Sequence, residues 1–174
     1  MLFRSAQAIC NFAQALRQST RGVKLNGLMI LLENTSGMGA ALGSRFAELR
    51  ELLAAVDDLP VGICLDTAHA FEAGYDIRSE KGLEATLAYI DDTVGLERVK
   101  VVHTNDSKTP FGSRIDRHAH IGKGKIGLRA FERILNHTAL AGRPFILETP
   151  IEKRGDDRRN LQTVRRLVRR KRRK

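Results

Sequence analysis

The chain has 174 residues, enough for one domain with a hydrophobic core, and 42% hydrophobic with 29% charged residues excludes a disordered or membrane protein. No apolar run reaches the roughly 20 residues of a bilayer span, and the start Met1-Leu2-Phe3-Arg4-Ser5 lacks the layout of a secretory signal, so a cytoplasmic location without membrane contact is expected. The net charge of +10 is uneven: RRLVRRKRRK, Arg165 to Lys174, holds eight positive charges and leaves a body near +2.

In chain order, Phe3, Ala6, Cys10 and Ala13 fall on one helical face ahead of the apolar run Gly27 to Leu32. Ser44 is a candidate cap for a helix through Phe46, Leu49, Leu53 and Val56, which leads to the run Val61 to Leu65. Ser79 stands likewise before Leu83, Leu87, Ile90 and Val94, followed by the run Val99 to Val102. Phe145 to Leu147 is the last run, and Leu161, Val164 and Val168 mark a closing helix. Short apolar runs alternating with helical periods predict buried parallel strands in an α/β fold. Four strands are half of an eight-fold barrel, which typically needs about 250 residues. Residues 1–160 form this unit, and 161–174 are the end of the last helix and the basic tail. Cys10 and Cys64 stand at no motif spacing and read as reduced core thiols.

At the ends of the four runs stand Glu33, Asp66, His103 and Glu148, spaced by 33, 37 and 45 residues. Parallel strands present their carboxyl ends on one face, so these four side chains should converge there as metal ligands. His69 adds an imidazole just beyond the second strand, and Asp116 and His118 add a carboxylate and an imidazole after the third. Carboxylate with imidazole suits zinc or manganese better than calcium or magnesium. His120 is either a further partner of this face or a loop histidine, and His137 is a surface or capping residue. Gly122-Lys123-Gly124-Lys125-Ile126-Gly127 matches G-x-G-x-x-G, but a polar, histidine-rich loop precedes it where a nucleotide site needs a buried strand. A glycine turn into a helix is expected there.

LENTSG from Leu32, CLDTAHAFEAGYD from Cys64, HTNDSK from His103, GSRIDRHAHIG from Gly112 and LETP from Leu147 together resemble the signatures of the endonuclease IV family. That resemblance implies a xylose isomerase-like TIM barrel, of which this chain carries about four βα units and lacks the N-terminal strands. It also implies a zinc-dependent endonuclease that cuts the phosphodiester 5′ to abasic sites of double-stranded DNA in base excision repair, a zinc-bound water supplying the nucleophile. Carried over residue by residue, Glu33, Asp66, His103 and Glu148 would hold one zinc and His69, Asp116 and His118 another. Glu33 would bridge to a third, whose two histidines lie on strands absent here, so at most two ions per chain are expected. Ala68 and Lys123 depart from the residues the family often carries.

Two other readings stand beside this one. A metal-dependent sugar isomerase or epimerase of the related barrels explains four ligands but not seven. A truncated, non-catalytic remnant explains the absent strands. Arg117, Lys123, Lys125, Arg169, Arg170 and Lys171 are the candidate DNA-binding residues, the last three as part of a phosphate-contacting arm. Unpaired strand edges predict a homodimer.

Overall fold

The computed structural model describes residues 2–169, and side chains from Ala6 onward. Helix α1 (Leu2–Thr20) leads to β1 (Ile30–Glu33), α2 (Phe46–Ala55), β2 (Val61–Asp66), α3 (Thr67–Ala73), α4 (Glu80–Val94) and β3 (Val99–His103). Then come β4 (Asp106–Ser107), β5 (His118–Ala119), α5 (Leu128–Asn136), β6 (Phe145–Ile146) and α6 (Asp156–Leu167). Four strands pair in parallel in the order β1-β2-β3-β6, while β4 and β5 form a small antiparallel pair. Spatial order follows sequence order, so every crossover runs the same way and the helices line one face of the sheet. Their contacts agree, α1 against α2, α2 against α4, α4 against α5 and α5 against α6. No helix among the described residues is long and apolar enough to cross a membrane.

The core lies between this helical layer and the sheet. Phe46, Phe71 and Phe131 anchor it, packed with Ile63, Val99 and Val102 from the strands. The opposite face, the interior of a closed barrel, is partly open: Ile146, which pairs with His103, is 45% exposed.

One irregularity in β3 aims the site. Ile63 pairs with Val99 but Cys64 pairs with Val101, so Lys100 is an extra residue. Side chains alternate along a strand, and a one-residue bulge reverses which of them face a given side. Because of it His103 comes into register beside Asp66, facing the interior rather than the helices.

Several expectations need correction. Cys10 is exposed, because the inward stripe of α1 runs through Ile9 and Ala13, and both Ala6 and Cys10 fall outside it; Cys64 is buried as expected. The side chain of Phe3 lies outside the described residues. Leu28 and Met29 precede β1 rather than join it and are exposed. Ser79 caps α4, its Oγ accepting from Gly82 N at 3.0 Å, but Ser44 does not cap α2. Arg45 takes that place, and Glu48 reaches back to accept from Arg45 N at 3.3 Å and Gly43 N at 3.1 Å. The helix α3 and the β4–β5 pair carry no periodic apolar run long enough to be read from sequence.

Burial opposes ionisation of Glu48, but the Arg45 side chain and the two backbone N–H groups outweigh it and hold its carboxyl below the usual range. A depressed folded pKa means stabilisation that is present above the unfolded value of about 4.3 and lost as pH falls through the folded one. Glu48→Gln should therefore destabilise the chain at neutral pH and have less effect at a pH below the folded value. Denaturant titrations at the two pH values check this; an equal loss at both would sink it.

Candidate metal centre

The structure brings all seven predicted ligands to the carboxyl ends of the strands, in two groups. In the first, ligand atoms of Glu33, Asp66, His103 and Glu148 all lie within 4.8 Å of one another. His103 Nδ1 stands 3.1 Å from Glu33 Oε1 and 3.0 Å from Glu148 Oε2. In the second, Asp66, His69 and His118 meet the same limit. Asp116 adds its carboxylate, with Oδ2 3.2 Å from His69 Nε2 and Oδ1 3.5 Å from His118 Nε2. Asp66 thus belongs to both groups, whereas the sequence placed it in the first alone.

The local structure explains these positions. Asp66 ends β2 and caps α3, its Oδ1 accepting from His69 N at 2.8 Å, which fixes the helix that carries His69. Asn34 clamps the Asp66 backbone: its Nδ2 donates to Asp66 O at 3.1 Å and its Oδ1 accepts from Asp66 N at 2.7 Å. Asn105 donates to Asp66 Oδ2 at 2.6 Å and accepts from Glu148 N at 2.8 Å, tying two ligand segments together. Sequence reasoning passed over Asn34 and Asn105 as positioning residues; their places, one residue past Glu33 and two past His103, were the available signal.

Several features fit an ion. Donors about 2.0–2.2 Å from a four-coordinate zinc stand about 3.3–3.6 Å from one another, and the observed separations of 3.0–3.5 Å are close to that. His69 Nδ1 lies 2.9 Å from Asn34 O and His118 Nδ1 lies 3.2 Å from Glu148 O. A ring N–H given to a carbonyl turns the other nitrogen's lone pair toward a metal. Both Nε2 atoms are buried with no hydrogen-bond partner among the described residues, although Asp116 faces each. Nitrogen and carboxylate oxygen aimed at a common point without hydrogen-bond geometry is what coordination requires.

The electrostatics agree. Burial pushes Asp66 up, though the nearby imidazoles His69 and His118 work against it. Burial likewise opposes the charged forms of Glu33 and His69, but each wins through its partners. Glu33 is held low by His69 and His103, and His69 is pushed up to about 10 by Glu33, Asp66 and Asp116. The carboxylates thus gather around the imidazoles, a concentration of negative charge that a bound cation would also offset. Cys64 forms a further candidate group with Glu33 and His103, although burial and the surrounding carboxylates push its thiol up to about 12.

Other candidates lie elsewhere. His120 turns to α6, its Nδ1 3.0 Å from Asn160 Nδ2, and His137 caps a short turn by accepting from Ala139 N. Arg117, Lys123 and Lys125 are exposed on the loops after β4. Arg169 sits 3.1 Å from Glu132 and donates its backbone N–H to Asn136. Those partners lie in the middle and at the carboxyl end of α5, whereas the amino end of α6 adjoins His120. Arg170 and Lys171 lie outside the described residues.

The glycine-rich loop after β5 does hold an anion, but an internal one. The carboxylate of Asp106, fully buried, accepts from Ser107 N, Gly122 N, Gly124 N and Ile126 N at 2.9–3.0 Å and from Gly127 N at 3.4 Å. A Cβ at Gly124 would collide with the Ser107 carbonyl and the Asp106 carboxylate, so glycine is required there.

A sequentially wound parallel sheet with two carboxylate–imidazole groups at its carboxyl ends defines part of an α/β barrel with a candidate metal centre. The chain belongs to the xylose isomerase-like TIM barrel family, which it matches over residues 3–171. Within it the relatives are those the motifs pointed to. A probable endonuclease 4 of Solibacter usitatus is 50% identical over 165 residues, 93% of this chain and 57% of the relative. One of Chloroflexus aurantiacus is 48% identical over 169 residues, 96% of this chain and 57% of the relative. The crystal structure of endonuclease IV from Thermus thermophilus superposes with a TM-score of 0.77 at 42% identity, covering 89% of this chain and 55% of that one. The chain therefore spans little more than half the length of these relatives.

Proposed function

We propose that the chain carries the metal-binding portion of a zinc-dependent endonuclease that cuts double-stranded DNA 5′ to abasic sites in base excision repair. The convergence of seven ligand-type side chains into two groups joined by Asp66 carries this reading. Glu33, Asp66, His103 and Glu148 would hold one zinc, and His69, Asp116 and His118 with Asp66 the other. When bound, zinc would supply a water acidic enough to attack phosphorus near neutral pH and positive charge for the departing oxygen. The chain's own part is positional: Asn34 and Asn105 hold Asp66 between the groups, and Arg117, exposed between Asp116 and His118, offers a cation to the DNA backbone. The second group argues against a sugar isomerase, because such a site has no use for His69, Asp116 and His118 beyond the first four ligands.

The outer strands β1 and β6 leave unpaired backbone edges, so pairing with a second copy is the arrangement we propose for a free chain. The test separates species by size with light scattering, then assays each for zinc and for cleavage of a duplex with a single abasic site. At most two zincs per chain are expected, with cleavage confined to an assembled form and abolished by a chelator. A stable monomer would overturn the pairing, and a zinc-free chain or cleavage that survives chelation would overturn the function.

A further inference from the structure

We propose that Glu72 is a positioning residue that sets the second ligand group by tying α3 to the Asp116–His118 loop. The proposal rests on the metal reading above and adds a residue to it. Glu72 stands three positions after His69 on α3 and is fully buried, an uncommon setting for a carboxylate. Its Oε1 accepts from Ser107 Oγ at 2.6 Å and Arg117 N at 3.3 Å, and lies 3.2 Å from Thr109 Oγ1. Arg117 is the residue between Asp116 and His118, so this contact fixes the backbone that carries both ligands. The same helix turn strengthens the tie, because Phe71 O accepts from Gly112 N at 3.1 Å and Glu72 O accepts from Arg114 N at 3.0 Å. One short helix thus presents His69 from one turn and strings the loop of Asp116 and His118 from the next. The first group has no such link to Glu72; Asn34 and Asn105 orient it instead.

All three polar contacts fall on Oε1, whereas Oε2 is buried without a partner among the described residues. Glutamine keeps the accepting oxygen, so Glu72→Gln should preserve the tie and Glu72→Ala should lose it. Substitution of residues that orient metal ligands typically weakens binding about 10–100-fold.

Cobalt(II) provides the probe, added to the intact chain and to both variants, with the visible spectrum followed ion by ion. In parallel, amide exchange of residues 109–118 is measured without metal. Glu72→Ala is expected to weaken the second ion at least about tenfold, alter its spectrum, leave the first ion unchanged and speed exchange at Arg117, with Glu72→Gln close to the native chain in all four. Equal weakening of both ions, an unchanged second ion or a glutamine variant that behaves like alanine would overturn the proposal. If Glu72→Ala does not fold, Ser107→Ala removes the shortest contact and is read the same way. Should the native chain bind no cobalt, the metal reading falls, yet exchange still decides the tie: unchanged rates in Glu72→Ala would refute it.

Discussion

Asp66→Ala should strip the chain of both metal ions, whereas His103→Ala and His118→Ala should each remove one and spare the other. Asp66 is the member common to both groups, and it also caps α3 and so places His69. His103 faces Glu33 and Glu148, while His118 faces Asp116 on the other side. Removing one ligand from a four-donor shell leaves its neighbours uncompensated, and the loss is confined to that shell unless the ligand is shared. His120→Ala is the control, since its ring is engaged with Asn160. Elemental analysis after dialysis reads the outcome. One ion retained in Asp66→Ala would show that it serves a single group, and loss of both from every ligand substitution would reduce the centre to one site.

The largest effect on stability is expected from Asp106→Ala. Five backbone N–H groups point at this carboxylate, and the loop from Gly122 to Gly127 is wrapped around it. Each buried donor left without a partner costs about 1–3 kcal/mol, somewhat less where water can enter. The sum is about 5 kcal/mol or more, a large part of a domain's 5–15 kcal/mol. At about 2–4 °C per kcal/mol for a chain of this size, the melting temperature should fall by about 10–20 °C. Asp106→Asn, which keeps one accepting oxygen, should fall between the two. A loss under about 1 kcal/mol in Asp106→Ala would mean that the loop holds its shape without the carboxylate.

That loop shows why a glycine pattern needs its context. Its N–H groups are arranged as a cradle for negative charge, which the pattern suggested, but the charge comes from this chain's own Asp106, 16 residues before Gly122. The polar stretch ahead of it was enough to argue against a nucleotide; nothing local named the aspartate.

Sequence alone determined the alternating α/β order and the convergence of Glu33, Asp66, His103 and Glu148, because a ligand at the end of each apolar run needs only parallel strands to meet the others. The motifs carried His69, Asp116 and His118 with them, and Ser79 and His137 were legible as caps because a cap acts within a few residues. Only the tertiary structure decided that Asp66 lies within reach of both groups, that the Lys100 bulge turns His103 inward, that Cys10 faces out, and that Asn34 and Asn105 bond to Asp66 while Glu72 bonds to Arg117 N. Periodicity reports which residues share a face within one element. It cannot report the partners of a buried polar group, because those lie 30 to 45 residues away and are fixed only when burial leaves each donor and acceptor one place to go.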